Sequence, residues 1–353
     1  MSADSKNCLL AQGKLISGSV DWSMWVWDTW TCHCEAKLVR HQGAVCALEV
    51  ARGRLFSGSV DRTVCVWDMS SWGCLHVLEG HSKSVFVLKA LDKWLLSGSD
   101  DGSIKVWSLD ELAGHATRAE DGLARARMCV ADSSLPISAQ GGSAGGGGEV
   151  PGDKILPIHT LTDHSKAVCA LEAHGQHIFS GSFDGTIRVW DRDTLVCKQI
   201  LKGHQGGVCT MVVCAGRLIS GSTDIRVWRL EDLSLERILQ GHNGGVNELA
   251  VAENKLLGGF DDTLIRVWDT TTWEVERVLE GHVGKSLSCM RAHGMQVPFL
   301  EMFCAGVSYG LACDGCTLRR KGSGRGGGSC GNGRGRRRKG VARCAREIEI
   351  VVM

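Results

Sequence analysis

One short pattern recurs six times along the chain, and recurrence of that kind constrains the fold more tightly than any other feature. Its clearest copy is LFSGSVDRTVCVWD, residues 55–68. The others are LISGSVDWSMWVWD (15–28), LLSGSDDGSIKVWS (95–108), IFSGSFDGTIRVWD (178–191), LISGSTDIRVWR (218–229) and LLGGFDDTLIRVWD (256–269). Each reads as two short strands around a tight turn. Alternating apolar residues make the strands, and the Asp with its small neighbours makes the turn. The closing tryptophans, Trp27, Trp67, Trp107, Trp190, Trp228 and Trp268, fall 40, 40, 83, 38 and 40 residues apart. A second marker, a His mostly preceded by Gly, stands at His41, His81, His164, His204, His242 and His282. The His-to-Trp distance is 26 in the second, third, fourth and sixth copies and 24 in the fifth.

A unit of this size cannot cover both faces of its own sheet. Units stacked side by side cover one another, so the repeat predicts an all-β ring in which only short edges remain. Each Trp buried between neighbours removes roughly 150–250 Å² from water. At about 25 cal/mol per Å² that contributes several kcal/mol.

The pattern resembles the WD-repeat (β-transducin-like) propeller family, whose units run from a Gly-His start to a Trp-Asp end. The resemblance covers roughly residues 5–292 apart from one insertion. It implies an all-β propeller with six recognisable four-stranded blades and room for a degenerate seventh, spanning residues 1–296. It also implies a His-Ser-Asp-Trp side-chain network inside each blade, which makes physical sense because buried polar groups must be paired. The matching sets are His41, Ser57, Asp61 and Trp67; His81, Ser97, Asp101 and Trp107; His164, Ser180, Asp184 and Trp190; and His204, Ser220, Asp224 and Trp228. In the sixth copy Gly258 replaces the Ser and leaves His242, Asp262 and Trp268. The first copy has Ser17, Asp21 and Trp27 but no His, so the chain begins inside a repeat.

The same His, Ser and Asp could suggest a catalytic triad. A catalytic site is needed once, whereas this trio recurs with the repeat, so the expectation is a structural network and no enzyme. Binding is expected instead at the positions that the resemblance places on one face of the ring, flanking the turn Asp or following the Val of the inner strand: Trp22, Val60, Arg62, Phe86, Asp100, Phe183, Asn247 and Asp261. Trp22, Phe86 and Phe183 find no partner in the local strand pattern, and exposed aromatics at a rim make good anchors for a protein partner. F-box adaptors with similar propellers hold phosphopeptides with several arginines on this face. Here only Arg62 occupies such a place, which argues against a phosphate reader. The expected role is a protein-interaction scaffold that binds peptides or domains, with substrate presentation in a ubiquitin-ligase or signalling complex as its finer form.

Two segments fall outside the repeat. The 83-residue Trp spacing holds an insertion of about 43 residues at 109–154. Its first part, LDELAGHATRAEDGLARARM (109–128), reads as a short helix, and its Gly-rich part reads as a flexible loop. Residues 297–353 read either as a degenerate seventh blade or as a disordered Gly/Arg-rich tail. Residues 317–346 carry 11 Lys/Arg and no Asp or Glu, which hides an acidic body behind a net charge of +1. That tail supports an alternative RNA-associated reading through phosphate contacts, although it offers no aromatic for base stacking. Nucleic acid is not expected elsewhere on the chain.

The 17 cysteines, many inside strands (Cys46, Cys65, Cys169 and Cys209), fit a reducing compartment, cytoplasm or nucleus, better than a disulfide framework. Cys32-His33-Cys34 and Cys313-x-x-Cys316 each lack the second pair that a four-ligand zinc site takes, so neither metal nor cofactor is expected. No apolar run approaches the ~18 residues of a membrane helix.

Overall fold

The computed structural model describes residues 8–114, 155–240, 242 and 244–280, and the backbone of 290–293, 300–304, 307–311 and 349–352. Among these residues are six four-stranded antiparallel sheets, each with its strands in plain sequence order. The second blade is typical: Val45–Ala51 innermost, then Arg54–Ser59, Val64–Asp68 and Cys74–Leu78. Blade 1 runs from Cys8–Ala11 to Cys34–Val39, so the first copy has all four strands. Blades 4, 5 and 6 run from Val168–His174, Thr210–Cys214 and Val246–Ala252 to Cys197–Leu201, Leu235–Leu239 and Val275–Leu279. Among the described residues no helix is long and apolar enough to cross a membrane.

Blade 3 is split by the insertion. Its inner strands are Val85–Ala90, Trp94–Ser99 and Ile104–Ser108, and its outer strand, His159–Leu161, comes from beyond the insertion and pairs with Ile104–Val106. Where blades 2, 4, 5 and 6 turn between their last two strands, a residue with positive φ (Trp72, Leu195, Leu233 or Trp273) packs into the apolar layer between blades. Blade 3 fills that place with the helix Leu109–Gly114, whose Leu109 and Leu112 are buried together with Ile155. The expected helix over 109–128 is thus seen for its first turn and a half. Residues 115–154 lie outside the described residues.

The core lies between blades. Trp67 packs with blade 1, Trp107 with blade 2, Trp190 with blade 3, Trp228 with blade 4 and Trp268 with blade 5. In blades 1, 2, 4, 5 and 6 the closing Trp also marks a register shift against the outer strand. The middle Gly of the SGS signature is a point of close approach. A Cβ on Gly18, Gly58, Gly98, Gly181 or Gly221 would stand 2.7–2.8 Å from the valine that opens, or stands just before, the next blade's inner strand.

The inner strands lie against one another around the ring, and Met290–His293 sits beside both Val246–Ala252 and Cys8–Ala11. Met290–His293 pairs with Glu349–Val352, and Leu300–Cys304 pairs with Val307–Leu311. The remainder of 281–353, including Cys313, Cys316 and the basic run, lies outside the described residues.

Candidate functional site

At one end of the ring the His loops meet the SGS turns. In blade 2, Trp67 Nε1 donates to Ser57 Oγ at 2.9 Å, and His41 bridges Ser57 Oγ through Nε2 and Asp61 Oδ2 through Nδ1, both at 2.8 Å. A proton on Nδ1 satisfies all four groups: the Ser57 hydroxyl donates to Nε2, and the imidazole donates to the carboxylate. Asp61 also accepts from the backbone N–H of Gln42 and of Thr63, locking the loop to the turn. Blade 3 repeats the set with His81, Ser97, Asp101 and Trp107 at 2.8, 3.0 and 2.9 Å. Blade 4 repeats it with His164, Ser180, Asp184 and Trp190 at 2.7, 2.8 and 2.8 Å. In blade 5, His204 joins Ser220 at 2.7 Å and Asp224, and Trp228 donates to Ser220 at 2.9 Å.

The electrostatics follow from burial and bonding. Desolvation opposes the charge on Asp61, Asp101 and Asp184. Hydrogen bonds from His41 and Thr63, from His81 and Ser103, and from Thr186 and His164 outweigh it and hold each carboxyl below the ordinary value, Asp184 at about 2. Burial lowers His164 and His204, only partly offset by their aspartates. These imidazoles are neutral, fully engaged groups and offer no free base to a substrate.

Blade 6 departs from the expected set. Asp262 pairs with Arg266 at 2.8 Å instead of with His242. The His242 ring stacks on Phe260 with centroids 4.5 Å apart, and Phe260 meets Trp268 edge-on at 5.9 Å. Phe260 fills the space that a Ser side chain would use, since a Cβ on Gly258 would stand 2.9 Å from Phe260 Cζ and 3.0 Å from Trp268 Cζ3. A stack of three rings therefore replaces the hydrogen-bonded set. The signal was the joint change of both serines in GGF, which a residue-by-residue alignment does not weigh.

Val60, Asp100, Phe183 and Asp261 occupy one equivalent turn position. Their backbone N–H groups donate to Ala44, Ser84, Ala167 and Gly245 at 2.9–3.1 Å, which holds the four side chains in a common frame around the channel mouth. Val60 is 40% exposed and Phe183 48%. Phe183 is seated on Gly207, where a Cβ would collide with its ring. Asp100 lies 3.7 Å from Lys83, and Asp261 accepts from Asn247 Nδ2 at 3.0 Å and from the Gly245 N–H. Trp22 is 53% exposed and takes φ +74°, a conformation that is costly for a bulky residue. Arg62 takes the same conformation and is exposed, whereas Phe86 is half-buried.

Two features escaped the sequence. Val20, 74% exposed, holds the same turn position in blade 1 as Val60 does in blade 2. Cys46, Cys169 and Cys209 share the inner-strand position of Phe86 and Asn247, and their thiols reach the carbonyls of Ala44, Ala167 and Gly207. Burial pushes the Cys46 thiol up to about 11. The repeat itself carried both signals.

The central channel holds a cavity of about 250 Å³ lined by Leu9, Glu49, Lys89, Glu172 and Glu248 among others, with Lys89 and Glu172 paired at 2.5 Å. Among the described residues no group of three or more His, Cys, Asp or Glu is placed to hold a metal.

Comparison with known proteins agrees with this geometry. The family description "WD domain, G-beta repeat" matches residues 32–68, 72–108, 156–191 and 233–269. WD repeat-containing protein pop1 of Schizosaccharomyces pombe is 41% identical over 56 residues, which are 16% of this chain and 7% of that protein. F-box/WD repeat-containing protein lin-23 of Caenorhabditis elegans is 40% identical over 53 residues, 15% and 8% respectively. The matched stretch thus spans 7–8% of these relatives' own length. The crystal structure of the computationally designed Ika8 protein superposes with a TM-score of 0.62 and 24% identity, covering 84% of this chain and 79% of that one, a likeness of fold alone.

Proposed function

We infer, from a chain that carries WD-domain G-beta repeats on a β-propeller frame, that its work is non-catalytic display of a protein-binding face. WD-repeat proteins generally act as protein-interaction scaffolds. The observation that carries the reading is the contrast at the SGS turns. In blades 2 to 5 the His, Ser, Asp and Trp groups are consumed by bonds within the blade, while Val20, Trp22, Val60 and Phe183 stand out from the SGS turns with large exposed apolar surface. Apolar anchors on a rigid frame lose little conformational freedom when a partner docks. The finer role we propose is presentation of a bound protein to a ubiquitin ligase or signalling assembly. It is supported by likeness to a relative whose name joins WD repeats to an F-box.

The test compares two variants of the full chain, one carrying Trp22→Ser, Val60→Ser and Phe183→Ser on the turn face, the other Arg52→Glu and Arg192→Glu on the opposite end. Proteins crosslinked to the wild type are expected to be lost by the first and kept by the second, with ligase subunits among them. Equal retention by a folded turn-face variant would remove this surface, and absence of ligase subunits would remove the finer role.

A further inference from the structure

Blade 2 differs from its neighbours at one place just beneath the His loop. Two residues before the closing Trp, blades 3, 4, 5 and 6 carry Lys105, Arg188, Arg226 and Arg266. In blades 3, 4 and 5 these long cations reach up to the residue that precedes the His, whereas Arg266 pairs with Asp262. Arg188 donates to the Asp163 carbonyl at 2.8 Å, Lys105 Cε would stand 3.4 Å from a Cβ on Gly80, and a Cβ on Gly203 would collide with Arg226. Blade 2 inverts the arrangement. The residue before the His is Arg40, and the strand position is the small Cys65. The guanidinium comes from the loop, and a thiol occupies the space beneath it.

A second thiol faces that space. Cys74 opens the outer strand opposite Trp67, at the register shift, and packs into the same apolar cluster as Cys65. Cys65 is buried, with Sγ 3.7 Å from His41 Nδ1. Cys74 is the more open of the two. Cys74 Sγ lies 3.6 Å from the His76 carbonyl, and the neighbouring Cys65 thiol together with the Arg40 guanidinium holds Cys74 below the ordinary thiol value despite burial. The neighbouring Cys74 and burial drive Cys65 well above that value. One thiol favours the anion and its neighbour keeps its proton, the division of labour of an attacking and a resolving cysteine.

We propose that Cys74 and Cys65 form a reversible dithiol that responds to hydrogen peroxide. The Cys74 thiolate sulfur attacks one peroxide oxygen, the O–O bond breaks, and the departing hydroxide takes up the proton lost by Cys74 to leave as water. Cys65 sulfur then attacks the Cys74 sulfenic sulfur, the S–O bond breaks, and the leaving hydroxide takes the Cys65 proton as a second water. Two thiols are oxidised to one disulfide while one peroxide is reduced to two waters, and an external dithiol reverses the step. The bond would draw Cys65 Sγ away from His41 and tie the two outer strands of blade 2 together.

Trypsin releases residues 63–83 as one peptide with Cys65 and Cys74 as its only thiols. The folded full chain is treated with peroxide, alkylated and digested. The expected result is a 63–83 peptide lighter by two hydrogens and free of alkylation, restored to two alkylated cysteines by dithiothreitol. In the Cys65→Ser variant, Cys74 is expected to stop at a dimedone-trappable sulfenic acid. In the Cys74→Ser variant, Cys65 is expected to stay alkylatable. Two alkylatable thiols in 63–83 of the wild type, under peroxide that oxidises the exposed Cys32 and Cys34, would overturn the proposal.

Discussion

Val85 rests on Gly58 so closely that a Cβ on the glycine would stand 2.7 Å from the valine's Cγ1. The two residues belong to adjacent blades, and the contact recurs from Gly18–Val45 to Gly221–Val246. The middle letter of SGS is therefore set by the neighbouring blade and not by the turn. Gly58→Ala is expected to force blades 2 and 3 apart at a cost of about 1–3 kcal/mol, typical of overpacking. Val85→Ala in the same chain should recover part of that loss, giving a non-additive cycle in urea unfolding. Additive losses would show that the blades do not meet through this pair.

Ser57 joins His41 to Trp67, and removing its hydroxyl strands two buried partners at once. Ser57→Ala should cost roughly 1–3 kcal/mol, the penalty for unsatisfied buried groups. Blade 6 predicts the opposite dependence. Gly258→Ser should destabilise, because Phe260 and Trp268 occupy the space. Adding Phe260→Ser, which restores the SGS sequence, should relieve that clash, although Arg266 still competes for Asp262. Chemical denaturation of the three variants checks the order.

The same comparison shows what could be read beforehand. Strand order, blade boundaries and the four bonded sets were legible because His, Ser, Asp and Trp keep their spacing and each answers to partners within one blade. The ring stack at His242 was not, because it depends on two substitutions acting together in space. Nor was the exchange of Arg40 for a strand cation, which becomes visible only when loop and strand lie side by side. At the turn face, the exposure of Trp22 and Phe183 was foreseen. The half-burial of Phe86 was not, since its surroundings are set by the neighbouring inner strands.

The bonded sets also make stability depend on acid in two stages. His164 and His204 are lowered in the fold, so the unfolded chain takes up protons first as pH falls below 6.5. Stability is expected to decline from there toward their folded values. Asp61, Asp101 and Asp184 are depressed below 3.8, so their contribution is complete above that value and is lost as pH falls toward about 2, where Asp184 protonates. Thermal unfolding should therefore show a first fall in Tm below pH 6.5 and a steeper one below pH 3.8. Asp184→Asn should lower Tm at neutral pH and flatten the lower limb. A lower limb that stays equally steep would place that acid sensitivity outside these sets.

Met290–His293 lies between the inner strands of blades 6 and 1, and among the described residues its only paired strand is Glu349–Val352. If that backbone closes the ring, the end of the chain stabilises blades far from it in sequence. Ending the chain at Leu311 would remove Glu349–Val352 and leave Met290–His293 unpaired. Ending it at Glu280 would remove both and uncover the inner strands of blades 1 and 6. We expect both truncations to lower Tm, the longer one more, and the longer one to self-associate through the uncovered strands, because open apolar faces and strand edges seek partners. Thermal unfolding with light scattering on the two truncated chains and the full chain decides it. A Tm unchanged on removal of 312–353 would show that Glu349–Val352 takes no part in holding the ring.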